Sequence, residues 1–142
     1  ELRSVVEYIK FFSPAWLEAG NHAPPVALAS VPDWFRSKTG RARAAAQGRE
    51  LFQRACAACH GQNGDGRGPS ADSLRDSQDR SVKPADLRVE LRSGRSPEDT
   101  WRTIATGISG TPMVGFLDAL SAEEIWSLTA FIRSLKEGSF SE

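Results

Sequence analysis

The chain has 142 residues, with 18 Lys and Arg against 18 Asp and Glu, so its formal net charge is zero; 39% of it is hydrophobic. That length suits one domain with an extension, large enough to build a core without disulfides or a structural metal. The balanced charge argues against a nucleic-acid binder, which carries a basic excess, and no apolar run approaches the roughly 18 residues that span a bilayer. The first residue is Glu1 rather than Met, which is expected of a processed chain whose targeting segment is missing.

Residues 1–12, ELRSVVEYIKFF, predict a short helix, because Leu2, Val5 or Val6, Ile9 and Phe12 recur at helical spacing and Pro14 stops it. Residues 14–44 hold Pro14, Pro24, Pro25 and Pro32 and predict an extended linker, with Trp16, Trp34 and Phe35 anchoring it on an apolar surface. A second helix is expected from about Arg41 to Cys59, with Gly48, Phe52, Ala55 and Cys59 on one face. The glycine-rich stretch 61–95 reads as loop with at most short helical turns.

In SPEDTWRTIATG, Ser96 can cap a helix, Pro97 suits its first position, and Glu98 and Asp99 favour the positive end of its dipole. Trp101, Ile104 and Ile108 would share its buried side, and Gly107 marks its end. The last helix starts at a capping box of Ser121 and Glu124, with Leu120 and Ile125 as a hydrophobic staple. Ile125, Leu128, Ile132 and Leu135 make its stripe, and Gly138 suits its stop. No strand pattern stands out, so the fold is expected to be all-α, divided as 1–13 helix, 14–44 linker and 45–138 domain.

The chemistry concentrates in Cys56-Ala57-Ala58-Cys59-His60. This C-x-x-C-H pentad reads as c-type haem attachment: residues three apart on a helix put both thiols on one side, and the next residue places an imidazole under the iron. A dithiol redox motif also uses C-x-x-C, but in a βαβ setting that this chain lacks. A disulfide closing so small a loop stabilises little. A zinc site needs a distant fourth ligand such as His22. For the sixth position of a haem iron the chain offers Met113, its only methionine, or His22. Met113 lies in SGTPMVGF, where Gly110, Pro112 and Gly115 indicate a loop rather than a core helix. His22 lies in the Pro-rich linker and reads as an exposed side chain. His/Met ligation closes both axial positions and suits electron transfer.

Three ordered blocks, GRELFQRACAACHGQNGDGRGP, TIATGISGTPMVGF and LSAEEIWSLTAFIRSL, resemble class I c-type cytochromes over about Ala45 to Lys136. The resemblance implies helices around one covalent haem c, tethered by Cys56 and Cys59, with His60 and Met113 as axial ligands. It implies that Gly48 and Phe52 meet the last helix at Phe131, and that the Pro69 carbonyl accepts a hydrogen bond from the His60 imidazole. Trp101, Ile108 and Pro112 complete the supporting pocket, with Trp101 and Trp126 near the haem or in the core. It implies an electron carrier rather than an enzyme, acting outside the bacterial cytoplasmic membrane between redox protein partners. Those partners include an upstream cytochrome domain or a catalytic subunit of a respiratory or multi-haem assembly.

A haem-based gas or peroxide sensor, or a catalytic haem domain, would instead need a displaceable sixth ligand. A zinc or thiol interaction module is the reading without haem. The run Arg36, Lys38, Arg41, Arg43, Arg49 reads as a solvated face, or as a dock for an acidic redox partner. Finally, 1–12 aligns with 124–135: Glu, Ser and Ile are identical, and Leu/Ile, Val/Leu, Tyr/Phe and Lys/Arg match in kind. Amphipathic periodicity alone can produce such a match; the sharper reading makes 1–12 the terminal helix of a preceding cytochrome domain.

Overall fold

The computed structural model describes residues 2–12, 26–89 and 96–136. Its helices are α1 (Leu2–Lys10), α2 (Lys38–Ala55), α3 (Ala57–His60), α4 (Pro97–Thr106) and α5 (Ala122–Lys136), with 3-10 turns at Asp33–Arg36 and Ala71–Ser73. Among the described residues the β-pairing is one isolated bridge, Arg75 to Ser81, so the fold is all-α. No helix among them is long and apolar enough to cross a membrane.

α2 begins earlier than its periodicity suggests. The Ser37 hydroxyl accepts from the Gly40 N–H at 2.9 Å and caps the helix, so residues 38–40, ahead of the expected start at about Arg41, are helical too. The helix also ends sooner. Cys56 (φ −118°) interrupts it, and α3 follows as a separate turn.

α4 and α5 start at the expected caps. Ser96 accepts from the Asp99 N–H at 3.1 Å while the Asp99 carboxylate accepts from the Ser96 N–H at 3.3 Å. At α5, the Glu124 carboxylate accepts from the Ser121 N–H at 2.9 Å, and Ser121 Oγ accepts from the Glu124 N–H at 3.3 Å. Each box satisfies donors that a helix start leaves orphaned. Gly138 lies outside the described residues.

The core is the crossing of α2 and α5. Gly48 lets the two backbones touch: a Cβ there would fall on the Ser127 carbonyl. One turn later, Phe52 packs on Phe131 with ring centroids 5.2 Å apart. Ile125 and Leu128 are fully buried, and Ile132 nearly so. Burial goes further round α5 than the stripe predicts, because Trp126, Ser127, Thr129 and Ala130 are buried as well. The reason is a second layer. Phe35 reaches Trp126 (5.3 Å between centroids), and Trp101 of α4 packs on the same indole at 6.0 Å. A helix covered on both sides is buried beyond a single stripe.

Phe35 is therefore part of the core, and Trp34 beside it donates from Nε1 to Glu123 at 3.2 Å. Trp16 and His22 lie outside the described residues. Ile108 departs from the expected stripe of α4. Gly107 turns the chain at φ +69°, Ile108 stands about half exposed, and Ala105 takes the buried place beside Ile104.

Candidate haem-attachment site

α2 delivers the chain into the cluster. The Cys56 N–H donates to the Phe52 carbonyl at 2.9 Å, and the Cys56 carbonyl accepts from Cys59 at 3.1 Å and from His60 at 2.9 Å. Cys56 to His60 is thus one hydrogen-bonded turn. Both cysteines are free and half-buried, as is His60.

The glycine-rich loop then folds back on this turn. Gly61, Ser70, Gly68 and Gly66 donate their N–H groups, in that order, to the carbonyls of Ala57, Ala58, Cys59 and His60 at 2.8–3.1 Å. These are the carbonyls that the end of a helix leaves without partners. The composition of the stretch follows from that, since the loop backbone must lie against the turn.

His60 Nδ1 lies 3.4 Å from the Ala85 carbonyl. A carbonyl only accepts, so Nδ1 carries the proton and the lone pair is on Nε2. This corrects the expectation for Pro69, which is exposed; the imidazole faces the Ala85 carbonyl instead. The physical reason is the route of KPADLR. The Leu87 N–H donates to the Gly64 carbonyl at 2.8 Å, which brings residues 84–87 beside the His60 turn. Burial lowers the His60 pKa, partly opposed by the Ala85 bond, and so favours the neutral imidazole. Burial also pushes the Cys56 thiol up to about 11, with Cys59 adding to the effect. Among the described residues, no three His, Cys, Asp or Glu side chains gather as a metal site.

Met113 is half-buried and sits in a loop tied to the end of α4. The Phe116 and Leu117 N–H groups donate to the Ile104 and Ala105 carbonyls at 3.0 and 3.2 Å, and the Met113 carbonyl accepts from Ile108 at 2.9 Å. Thr111 Oγ1 accepts from the Met113 N–H at 3.2 Å. Ser77, in the loop that follows the Cys56–His60 turn, donates to the Gly110 carbonyl at 2.8 Å. The methionine backbone is therefore held on both sides, by α4 and by the loop from the cysteine turn.

The other expected pocket residues divide. Gly48, Phe52 and Phe131 form the α2–α5 contact described above. Trp101 is buried, and its Nε1 donates to the Ala122 carbonyl at 3.2 Å. Trp126 is buried with no partner for its Nε1 among the described residues. Pro112 is half-buried and Ile108 largely open. Of the basic run, Arg41 donates to the Phe35 carbonyl at 2.9 Å, which is a structural use.

The donor set fits a covalent haem. Two half-buried thiols and an imidazole held at Nδ1 lie on one turn, and one thioether sits in a tethered loop. Comparison with known proteins agrees. Residues 45–136 match the family described as Cytochrome c. A solved chain of the Kuenenia stuttgartiensis reducing HAO-like protein complex is 32% identical, with a TM-score of 0.78 over 93% of this chain. This chain spans 58% of the length of that one. No curated protein matches. With the C-x-x-C-H turn in the matched region, the comparison implies one covalently bound haem c.

Proposed function

Because the chain belongs to the cytochrome c family, we propose that it is an electron-transfer domain with His60 and Met113 as axial ligands, passing single electrons between redox protein partners. Haem c supplies a one-electron Fe(III)/Fe(II) couple when bound. The protein's part is to hold and tune it. Cys56 and Cys59 form the two thioether tethers. His60 offers Nε2, and the Ala85 carbonyl on Nδ1 fixes its tautomer and strengthens it as a ligand. Met113 offers a soft thioether, which favours the reduced state and raises the potential. Gly48, Phe52 and Phe131 set the α2–α5 crossing that carries the cysteine turn, while Trp101 and Pro112 complete the surrounding pocket.

The observation that carries this reading is the pairing of the C-x-x-C-H turn with a backbone-tethered loop holding the chain's only methionine. Two strong axial ligands leave no site for a gas or peroxide. The partner we propose is an oxidoreductase subunit of a larger assembly outside the cytoplasmic membrane. The similar chain from a reducing HAO-like protein complex supports that setting. Mixing the reduced haem-loaded protein with CO tests the reading. Little or no binding is expected, whereas rapid stoichiometric binding means a displaceable sixth ligand and a sensing or catalytic role.

A further inference from the structure

Among the described residues nothing packs on α1 so as to bury it. Arg3 to Ile9 are all exposed, and Val5, Val6, Tyr8, Ile9, Phe11 and Phe12 each leave more than half of their surface open. A nine-residue helix is marginal alone, and an apolar face of this kind marks an interaction surface.

The alignment of 1–12 with 124–135 identifies which surface α1 fits, because the apolar likeness lies on one side. Ser4 falls on Ser127, Tyr8 on Phe131, Val5 on Leu128, Ile9 on Ile132 and Phe12 on Leu135. In α5, Ser127 presents the carbonyl that meets Gly48, Phe131 packs on Phe52, and Leu128 and Ile132 are buried. The buried positions of the other side are not copied. Trp126, which packs on Phe35 and Trp101, is matched by Arg3, and buried Ala130 by Glu7, which pairs with Lys10 at 2.7 Å; only the basic residue at Arg133 is kept there, as Lys10. Helical spacing puts Arg3, Glu7 and Lys10 together, away from the Ser4–Val5–Tyr8–Ile9 stripe. Amphipathic periodicity explains a stripe. It does not explain a Ser and an aromatic four residues on, at the two positions where α5 meets the glycine and phenylalanine of α2.

We propose that α1 is the closing helix of a second cytochrome c-type domain, upstream on the parent chain. It seats on a helix with a small residue in the place of Gly48 and an aromatic in the place of Phe52. Its charged side faces solvent, where α5 has a second layer. The size of the similar solved chain allows for such a domain: 93% of 142 residues covers 58% of it, so roughly 95 of its residues lie outside the match, enough for a domain of the length of 45–136. The inference rests on family membership and not on the identity of the sixth ligand.

The test is the intact parent protein purified from its own organism, read by mass and by pyridine haemochrome. Two covalent haems per polypeptide and a second C-x-x-C-H before Glu1 are expected. One haem per chain, with a mature N-terminus next to Glu1, overturns the proposal and leaves the electron-transfer reading untouched. In the parent chain, Tyr8→Asp should lower the melting temperature of the upstream haem domain while this domain's haem spectrum stays unchanged; equal melting in variant and wild type refutes the docking. Sedimentation of the haem-loaded 142-residue chain completes the test. A monomer is expected, and a dimer that Tyr8→Asp dissolves assigns the face to a second copy and overturns the proposal.

Discussion

Gly48→Ala separates packing from helix propensity by the sign of its effect. If Gly48 were only a weak helix former, alanine would stabilise the protein by about 1 kcal/mol. The structure reverses that expectation. A Cβ at this position falls on the Ser127 carbonyl and lies 3.0 Å from the Leu128 nitrogen. Both are backbone atoms, so no rotamer change relieves the contact and the helices must part. Overpacking a filled core costs about 1–3 kcal/mol. Parting also loosens the Phe52–Phe131 pair, which contributes about 0.5–1.5 kcal/mol beyond its buried area. Against the gain in propensity, the net loss is about 2 kcal/mol, roughly a thirty-fold drop in the folding equilibrium constant. Urea denaturation of the haem-loaded protein, followed by far-UV circular dichroism, should show a midpoint lower by about 1 M. A midpoint unchanged or raised refutes the close-approach argument.

Gly107→Ala should strain a left-handed residue by about 1–2 kcal/mol and set a Cβ against the Met113 carbonyl and 2.6 Å from the Gly115 nitrogen. A lower melting temperature and weaker methionine ligation in the visible spectrum are expected together. Glu124 has its pKa lowered by the Ser121 backbone hydrogen bond and then by the Ser121 hydroxyl. A carboxylate depressed in the folded state contributes stability above its ordinary value of 4.5, lost as pH falls through the folded pKa. Thermal melts of Glu124→Gln from neutral pH down to pH ~3 should therefore show a shallower loss of stability below 4.5 than the wild type.

The helix caps and the haem pentad were legible because their signals are short-range. Ser96 with Asp99 and Ser121 with Glu124 sit three residues apart, and Cys56 to His60 is one turn. What escaped depends on distant chain or on backbone. Ala85 holds His60 through its carbonyl, a group every residue carries, so no side-chain pattern marks it. The burial of α5 on its second side needs Phe35, which arrives from some ninety positions away in sequence, so the periodicity of α5 alone under-reports it. Ser37 caps α2 ahead of Thr39 and Gly40, both weak helix formers, so the helix is hidden at its start. Spacing alone puts Ile108 on the α4 stripe, but Gly107 turns the chain at φ +69° before it.

The central claim is that Met113 is the sixth ligand and makes this haem domain an electron carrier. The most direct measurement is the absorption spectrum of the oxidised haem-loaded protein beside that of Met113→Ala. The account predicts a weak long-wavelength methionine–Fe(III) band in the wild type and its loss in the variant, with CO binding gained on reduction. Survival of the band in Met113→Ala, or its absence from the wild type, contradicts the account.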